Sequence, residues 1–228
     1  MEMVNVIIDG KSVEVEKGST VLLAAQKAGV HIPTLCYLKD VNAIGACRVC
    51  LVEVKGAKAL QPACVYPVSD GLEVHTNTPK VREARKAVVE LLLSNHPADC
   101  LTCVRSGNCE LQTMAQQMGI REIRFEGEKS TFPIDDRSVA IVRDPNKCIL
   151  CRRCVATCQK VQGVSILGLV NRGFNSTVGT AFNHPLDDIN CALCGQCINA
   201  CPVGALSEKD DTAKVWAALA DENKHCIV

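Results

Sequence analysis

Cysteine constrains this chain more than any other residue, because it occupies sixteen of the 228 positions. All of the cysteines except Cys226 fall into groups with short, regular spacings. Aromatic residues make up only 3% of the chain, so few large side chains are available to fill a core. Small cores of this kind usually depend on disulfides or bound metal for their stability.

The chemistry of these cysteines depends on the compartment in which the protein works. Residues 1–6 lack the basic segment and apolar run that open a signal peptide. The longest apolar stretches, 87–93 and 163–170, are shorter than the ~18 residues that a membrane-spanning helix needs. We therefore expect a soluble cytoplasmic protein with no membrane span, in which metal ligation is favoured over disulfides. Lys plus Arg and Asp plus Glu both number 25, and this balance argues against nucleic acid as a partner.

The strongest pattern is an internal repeat of four cysteines. In each copy the cysteines are separated by two, two and three residues, as in bacterial ferredoxins that carry two 4Fe-4S clusters. In those proteins three thiolates of one copy bind one cluster, and the fourth binds the other. By that rule the predicted ligand sets are Cys148, Cys151, Cys154 and Cys201 for one cluster, and Cys191, Cys194, Cys197 and Cys158 for the other. Structural zinc is the alternative, but it favours four ligands supplied as two separated pairs.

Two features depart from the ferredoxin pattern. Gln159 follows the first copy, where proline is typical and where Pro202 stands after the second copy, and an insertion separates the two copies. These departures bear on the shape of the loops and leave the ligands in place. Gly195 and Gly204 are expected to let the backbone approach the clusters closely.

The first group of cysteines has an inner pair separated by two residues and two more distant members: Cys36, Cys47, Cys50 and Cys64. Plant-type 2Fe-2S ferredoxins use a similar pair with a distant fourth cysteine, although their first gap is shorter. Gly45 and Ala46 are small enough to let the backbone close over such a cluster. A tetrahedral zinc site remains open here, since four cysteines with one such pair also suit zinc.

The middle group has three cysteines, one fewer than a 4Fe-4S cluster requires: Cys100, Cys103 and Cys109. His96 lies just before them and could supply the fourth ligand. A lone histidine is more often an ordinary surface or core residue, but every other cysteine except Cys226 already belongs to a complete set. In Rieske centres imidazole in place of thiolate raises the potential. The prediction is therefore one 2Fe-2S and three 4Fe-4S clusters.

The hydrophobic pattern predicts an α+β fold made of cluster-binding modules. Alternating residues on both sides of Asp9-Gly10 predict a hairpin, which a helix over 21–28 and strands over 51–54 and 72–74 follow. Further helices are predicted from Thr78-Pro79 to Asn95 and over 110–118. The predicted divisions are a β-grasp 2Fe-2S domain (1–78), a helical 4Fe-4S module with one His and three Cys ligands (79–120), a connector (121–140), a bacterial-type two-cluster 4Fe-4S domain (141–209), and a helix with the start of a bridge (210–228).

Several side chains outside the cysteine groups also carry predictions. The helix from Thr78-Pro79 should bury one apolar face: Val81, Ala84, Val88, Leu91 and Leu92. Four arginines should be solvated, with a docking role as the weaker alternative: Arg82, Arg85, Arg152 and Arg153. In the last predicted helix Val215, Trp216 and Leu219 should face inward, and Cys226 should be a small buried hydrophobe at the start of a strand.

The order of the groups along the chain is distinctive: a four-cysteine 2Fe-2S site, then His-x3-Cys-x2-Cys-x5-Cys, then a tandem ferredoxin. This order resembles the N-terminal half of iron-only hydrogenase catalytic subunits. In part it is also similar to the large peripheral subunit of respiratory complex I and to the diaphorase small subunit of NAD-linked nickel-iron hydrogenases. Residues 215–228 resemble the bridge that leads into the hydrogen-activating domain of the iron-only enzymes.

The resemblance implies an oxidoreductase subunit in a hetero-oligomer. Its implied partners are a flavin- and NAD(P)-binding iron-sulfur subunit and a further small iron-sulfur subunit, with ferredoxin as another candidate. We nominate no catalytic residue, since the chain has no G-x-G-x-x-G between a strand and a helix and no motif for a substrate. Three hypotheses follow: the relay part of an iron-only hydrogenase in an NAD(P)-linked complex, with electron bifurcation as one mode of working, a self-standing electron-transfer subunit, or a structural zinc scaffold.

Overall fold

The computed structural model describes residues 2–227, and its N-terminal part is a five-stranded mixed sheet. The strands are β1 (Met3–Ile8), β2 (Lys11–Glu16), β3 (Leu51–Val54), β4 (Gln61–Pro62) and β5 (Leu72–His75), and their order in the sheet is β2-β1-β5-β3-β4. Strand β1 pairs in parallel with β5, and the other neighbours are antiparallel. Asp9 and Gly10 both have positive φ, 48° and 82°, which is the turn geometry that a tight hairpin requires. The sequence predicts all of these strands except β4.

Helix α1 (Val21–Lys27) packs against this sheet and closes the first apolar core. Its first turn is capped by Thr20, whose hydroxyl accepts a hydrogen bond from the Leu23 N–H at 3.4 Å. The helix ends before Gly29, which has a φ of 71°. The sheet and helix thus hold the loops of the first cysteine group against a dry core.

The middle of the chain contains two helices, α2 (Pro79–Ser94) and α3 (Glu110–Gln117), which pack against each other. The predicted buried face of α2 is partly wrong. Leu91 is 52% exposed, whereas Arg85 and Glu90 are buried beside Val81 and Val89. The polar pair is buried because the neighbouring segments supply partners that an apolar periodicity cannot reveal.

Those partners come from both sides of α2. Arg85 donates from Nε and Nη2 to the carbonyl oxygen of Leu51, at 2.9 and 2.7 Å. Glu90 accepts a hydrogen bond from Arg124 Nε at 2.6 Å. The prediction that Arg85 is solvated is therefore wrong, since its guanidinium fastens α2 to the first domain.

The segment 121–140 contains no helix or strand, as its lack of period predicts. It is attached to the last domain through Asp135, which bonds to Arg137 Nε at 2.7 Å and to Arg143 Nε at 3.0 Å. These two arginines lower the pKa of Asp135 to about 2. The connector is thus fixed to the surface by charge-assisted hydrogen bonds.

The last domain is closed by β6 (Ile141–Arg143) and β9 (Leu206–Glu208), which pair in antiparallel fashion. Between them lie the packed short helices α4 (Arg153–Ala156) and α5 (Gln196–Ala200), one from each copy of the repeat. The insertion forms a hairpin from β7 (Gly168–Val170) and β8 (Thr177–Gly179).

The two copies differ where their sequences differ. Helix α5 ends at Ala200, just before Cys201-Pro202, because proline has no N–H with which to continue a helix. In the first copy Gln159 keeps its N–H, and the chain runs on from α4 into a π-helical turn, Thr157–Val161, that contains Cys158.

A second apolar core joins the three cysteine-bearing regions. It contains Leu35 and Val49 from the first domain, Val89 and Leu111 from α2 and α3, and Ile198 with its neighbours from the last domain. Most of the predicted ligand cysteines also border it. The modules therefore share one dry interior.

The C-terminal segment departs from the sequence prediction. Helix α6 (Thr212–Leu219) forms, but its apolar side chains Val215, Trp216 and Leu219 are exposed by 55%, 69% and 57%. Cys226 is exposed and lies in no strand, so the prediction of a small buried residue is wrong. Nowhere between residues 2 and 227 does a helix have the length and apolar character needed to cross a bilayer.

Candidate metal centres

The two halves of the repeat enclose two cavities, each lined by four cysteines. One cavity, with an empty volume of about 490 Å³ partly open to solvent, is lined by Cys148, Cys151, Cys154 and Cys201. The other, of about 470 Å³, is lined by Cys191, Cys194, Cys197 and Cys158. The fold brings together the same crossed sets that the spacing rule predicts, because α4 and α5 pack side by side and exchange their last cysteines.

The loops around these cavities have a backbone geometry that repeats between the two copies. In the first copy Leu150 and Arg152 have φ of 54° and 60°, and in the second Leu193 and Gly195 have φ of 48° and 70°. Positive φ is costly for leucine and arginine, so it persists only where the surrounding structure requires it. Alternation of this kind turns successive N–H groups into one concavity, which suits an anionic iron-sulfur cluster.

Hydrogen bonds to sulfur accompany this geometry. The Leu193 N–H donates to Cys191 Sγ at 3.4 Å, and the Leu150 N–H is directed in the same way at Cys148. Burial nevertheless raises the pKa of Cys148 to about 11 and that of Cys151 to about 12. Thiolates in such a dry site require a strong positive charge, and iron supplies it because coordination displaces the thiol protons. The donor set, the cavities and the N–H groups together fit 4Fe-4S clusters.

The first cysteine group is brought together between the two cores. Cys36, Cys47, Cys50 and Cys64 are all buried, and the Cys36 N–H donates to Cys47 Sγ at 3.4 Å. Thiol hydrogen bonds from Cys47 and Cys64 lower the pKa of Cys36, and the same contact with Cys36 raises the pKa of Cys47. Mutual shifts of this size require neighbouring sulfurs. All four predicted ligands therefore converge on one site, in which Arg48, inside the inner pair, has a φ of 59°.

The middle group is arranged more loosely. His96 lines a small cavity with Cys148, Ile149 and Leu150, and burial lowers its pKa, which favours the neutral imidazole that binds metal. Cys103 lies against Gly204, while Cys100 is exposed and Cys109 half-buried. The ligand set His96, Cys100, Cys103 and Cys109 stays a prediction.

Gly204 has a role that sequence spacing did not reveal. A Cβ built on it would lie 2.7 Å from Cys103 Sγ, closer than real side chains approach. The close approach expected of this glycine is therefore made to the middle cysteine group, across the domain boundary. Gly195 has the positive φ noted above and open space around its Cα.

Cationic side chains link the cysteine loops to one another. Arg153, predicted to be solvated, is buried and forms a two-bond ion pair with Glu110, at 2.6 and 2.9 Å. Arg105 Nη2 donates to the carbonyl oxygens of Ile198 and Cys201, at 2.8 and 3.1 Å. Arg152 is exposed, as expected. The signal for Arg105 was its place between Cys103 and Cys109, but its partners could not be read from the chain.

Comparison with protein families divides the chain into three matched regions. Residues 1–79 match the 2Fe-2S iron-sulfur cluster binding domain. Residues 85–124 match the NADH-ubiquinone oxidoreductase-G iron-sulfur binding region. Residues 138–207 match the ferredoxin-like domain of NADH-quinone oxidoreductase subunit 3. Domains for both cluster types are thus present in the order that the sequence predicts.

Individual relatives agree with this division. The chain is 47% identical over 233 residues to the NADP-reducing hydrogenase subunit HndD of Solidesulfovibrio fructosivorans, covering 100% of this chain and 40% of that protein. It is 41% identical over 207 residues to the alpha subunit of the NADPH-Fe(3+) oxidoreductase of Geobacter sulfurreducens, covering 91% of this chain and 24% of the relative. With the 75 kDa subunit of the NADH-ubiquinone oxidoreductase of Reclinomonas americana it shares 39% identity over 225 residues, covering 97% of this chain and 32% of that protein. The chain therefore spans less than half of the length of these relatives.

A solved structure gives the same result in three dimensions. A chain in the crystal structure of an NAD+-reducing NiFe hydrogenase, in the H2-reduced state, superposes with a TM-score of 0.84 and 32% identity. The match covers 90% of this chain and 87% of that one. These relatives are subunits of oxidoreductase complexes, as the cysteine pattern implies. The chain belongs to the family of iron-sulfur subunits that these NAD(P)-linked hydrogenases share with NADH-quinone oxidoreductase.

Proposed function

We propose that this chain is an electron-transfer relay with one 2Fe-2S and three 4Fe-4S clusters, in the N-terminal part of an iron-only hydrogenase catalytic subunit. The observation that carries the proposal is the pair of cavities lined by four cysteines each, in the crossed combination. The 2Fe-2S cluster is assigned to Cys36, Cys47, Cys50 and Cys64, and the third 4Fe-4S cluster to His96, Cys100, Cys103 and Cys109. The proposed domain limits are 1–78, 79–120, 141–209 and 210–228, with 121–140 as the connector.

The clusters supply one-electron Fe(II)/Fe(III) chemistry, and the residues of the chain hold them and adjust their potentials. Backbone N–H groups such as those of Leu150 and Leu193 donate to cysteine sulfur and favour the reduced state. The shared apolar core keeps water away from the cysteine loops. Buried Arg85, beside Cys50, adds positive charge at the first site. No residue of the chain is assigned to bond making or breaking.

The relatives indicate the assembly in which such a relay would work. The chain is 47% identical to the NADP-reducing hydrogenase subunit over its whole length, against 41% for the NADPH-Fe(3+) oxidoreductase subunit over 91% of the chain. This difference favours a hydrogenase that exchanges electrons with a flavin- and NAD(P)-binding iron-sulfur subunit and a further small iron-sulfur subunit. The second candidate is an electron-transfer subunit of an NAD(P)-linked complex without hydrogen chemistry, which the matches to the two oxidoreductase subunits support.

The test begins with the native subunit purified without oxygen. Brown protein with acid-labile sulfide, and with EPR signals of one 2Fe-2S and several 4Fe-4S clusters, is the expected result. Colourless protein that contains zinc would refute the relay. Intact mass and hydrogen evolution from a reduced dye then separate the two candidates: a mass well above 24.5 kDa with hydrogen evolved indicates the hydrogenase. A mass that matches this chain without hydrogen evolution indicates the second candidate.

A further inference from the structure

Asn42 occupies an unusual position between two of the predicted cluster sites. It lies in the loop after Cys36, where backbone hydrogen bonds with Leu38 in both directions, each 2.8 Å, fix the turn. Its side chain is buried, with 4% of its surface exposed. The loop therefore presents one rigid amide to the interior between the first and last domains.

Both hydrogen atoms of this amide are used, and they go to different domains. Asn42 Nδ2 donates to the carbonyl oxygen of Cys36 at 2.8 Å and to the carbonyl oxygen of Cys151 at 3.0 Å. Cys36 belongs to the predicted 2Fe-2S set, and Cys151 to the predicted 4Fe-4S set completed by Cys201. One side chain thus joins the backbones of two ligand residues, one of them 6 and the other 109 positions away in the sequence.

The surroundings make this contact a specific one. Cys36 and Cys151 are 1% and 7% exposed and belong to the same apolar core. In such an interior a hydrogen bond is electrostatically stronger than in water, and water cannot replace it. Nearby, Lys160 Nζ donates to the Val41 carbonyl oxygen at 2.7 Å, but this second bond is exposed and reaches no cysteine.

We propose that Asn42 is a positioning residue that couples the two sites electronically, an inference that rests on the proposed function. The route runs from Cys36 Sγ through its Cβ, Cα and carbonyl, across Asn42 Nδ2, and through the carbonyl, Cα and Cβ of Cys151 to its Sγ. Electron tunnelling decays less steeply along covalent and hydrogen bonds than through empty space. One electron moves from an Fe(II) at the donor site to an Fe(III) at the acceptor site, no proton moves, and no bond of Asn42 is made or broken.

The test is the rate of electron transfer between the two clusters in the cluster-loaded protein. Photoreduction followed by freeze-quench EPR would record the 2Fe-2S and 4Fe-4S signals over time in wild type, Asn42→Ala and Lys160→Met. We expect the rate to fall several-fold in Asn42→Ala, while the EPR line shapes and the midpoint potentials of both clusters stay the same. Lys160→Met is the matched control, because it removes a hydrogen bond from the same interface without touching a cysteine, and its rate should equal that of wild type.

Two results would overturn the role of Asn42: an unchanged rate in Asn42→Ala, or an equal loss of rate in Lys160→Met, which would make the contact ordinary domain packing. If Asn42→Ala loses a cluster, Asn42→Ser replaces it, since a serine hydroxyl can donate to only one of the two carbonyls. A slower rate in that variant supports the proposal, and an unchanged rate refutes it. Wild-type protein without iron-sulfur clusters would refute the proposed function itself, which separates the two failures.

Discussion

Replacing Gly204 with alanine would test the middle cluster through a single added carbon. The new Cβ would meet Cys103 Sγ at 2.7 Å, whereas Lys147 Cδ at 3.5 Å and Val104 Cγ2 at 3.7 Å are ordinary contacts. Comfortable non-bonded separations are about 3.5–4.0 Å, so Sγ would have to retreat by roughly 1 Å. The sulfur is therefore the one atom that decides the outcome.

The cost of this retreat depends on whether Cys103 holds iron. A free thiol rotates away at little cost, and Gly→Ala at a residue without positive φ then stabilises the fold by about 0.4–1 kcal/mol. A bound thiolate cannot move in this way, because ligand constellations tolerate shifts of only about 0.5 Å. We expect Gly204→Ala to leave the cluster-free fold intact or slightly more stable and to deplete one 4Fe-4S cluster.

The measurement compares iron and sulfide content, EPR spectra and thermal unfolding of this variant with those of Gly127→Ala. Gly127 is the matched control, because its added Cβ meets nothing within 4 Å. The expected difference is the loss of one 4Fe-4S signal in Gly204→Ala alone, with the 2Fe-2S signal retained. Full iron content and unchanged EPR in Gly204→Ala would show that Cys103 does not bind iron from its position beside Gly204.

Three further predictions concern the other sites. Arg85→Met should lower the free energy of unfolding by about 1–3 kcal/mol, because the buried Leu51 carbonyl loses its donors, and should shift the 2Fe-2S midpoint to a more negative potential in an EPR-monitored titration; an unchanged potential would contradict the charge argument. Asp135→Asn should cost about 1–2 kcal/mol near neutral pH in urea unfolding, and because the folded pKa is lowered, this difference should shrink as the pH falls from 3.8 to about 2, whereas a constant difference would exclude the ionic contribution. Cys201→Ala should perturb the cluster of the Cys148 set, and an EPR change confined to the other cluster would refute the crossed assignment.

The sequence was most informative where chemistry or local backbone preference determines the structure. The spacing rule for tandem ferredoxins predicts the two crossed sets that line the cavities, because three thiolates on a tight loop leave few other arrangements. Asp9-Gly10 predicts the hairpin, since glycine accepts positive φ, and Thr78-Pro79 predicts the start of α2. In each of these cases the signal is contained within a few residues.

It was least informative where burial depends on a distant partner. The charge of Arg85 and Arg153 indicates exposure, yet both are buried because Leu51 and Glu110 satisfy them. Conversely, the apolar period of α6 predicts a buried face, and Trp216 is 69% exposed. Helical periodicity reports which residues share a face, but it does not report whether another segment covers that face.

These distant partners also explain how a chain with 3% aromatic residues holds its modules in register. Large side chains usually fix domain interfaces, but here polar side chains donate to carbonyls at the cysteine loops: Arg85 beside Cys50, Arg105 at Cys201, and Asn42 at both Cys36 and Cys151. A buried hydrogen bond has a direction and a narrow range of length, so it fixes the position of a loop more tightly than an apolar contact of equal area. Each donor also places positive charge or a dipole next to a ligand, which adjusts the potential of the cluster there. The same contacts that hold the modules together therefore set the conditions for electron transfer between them, so a variant that loosens one interface should alter the two sites that flank it.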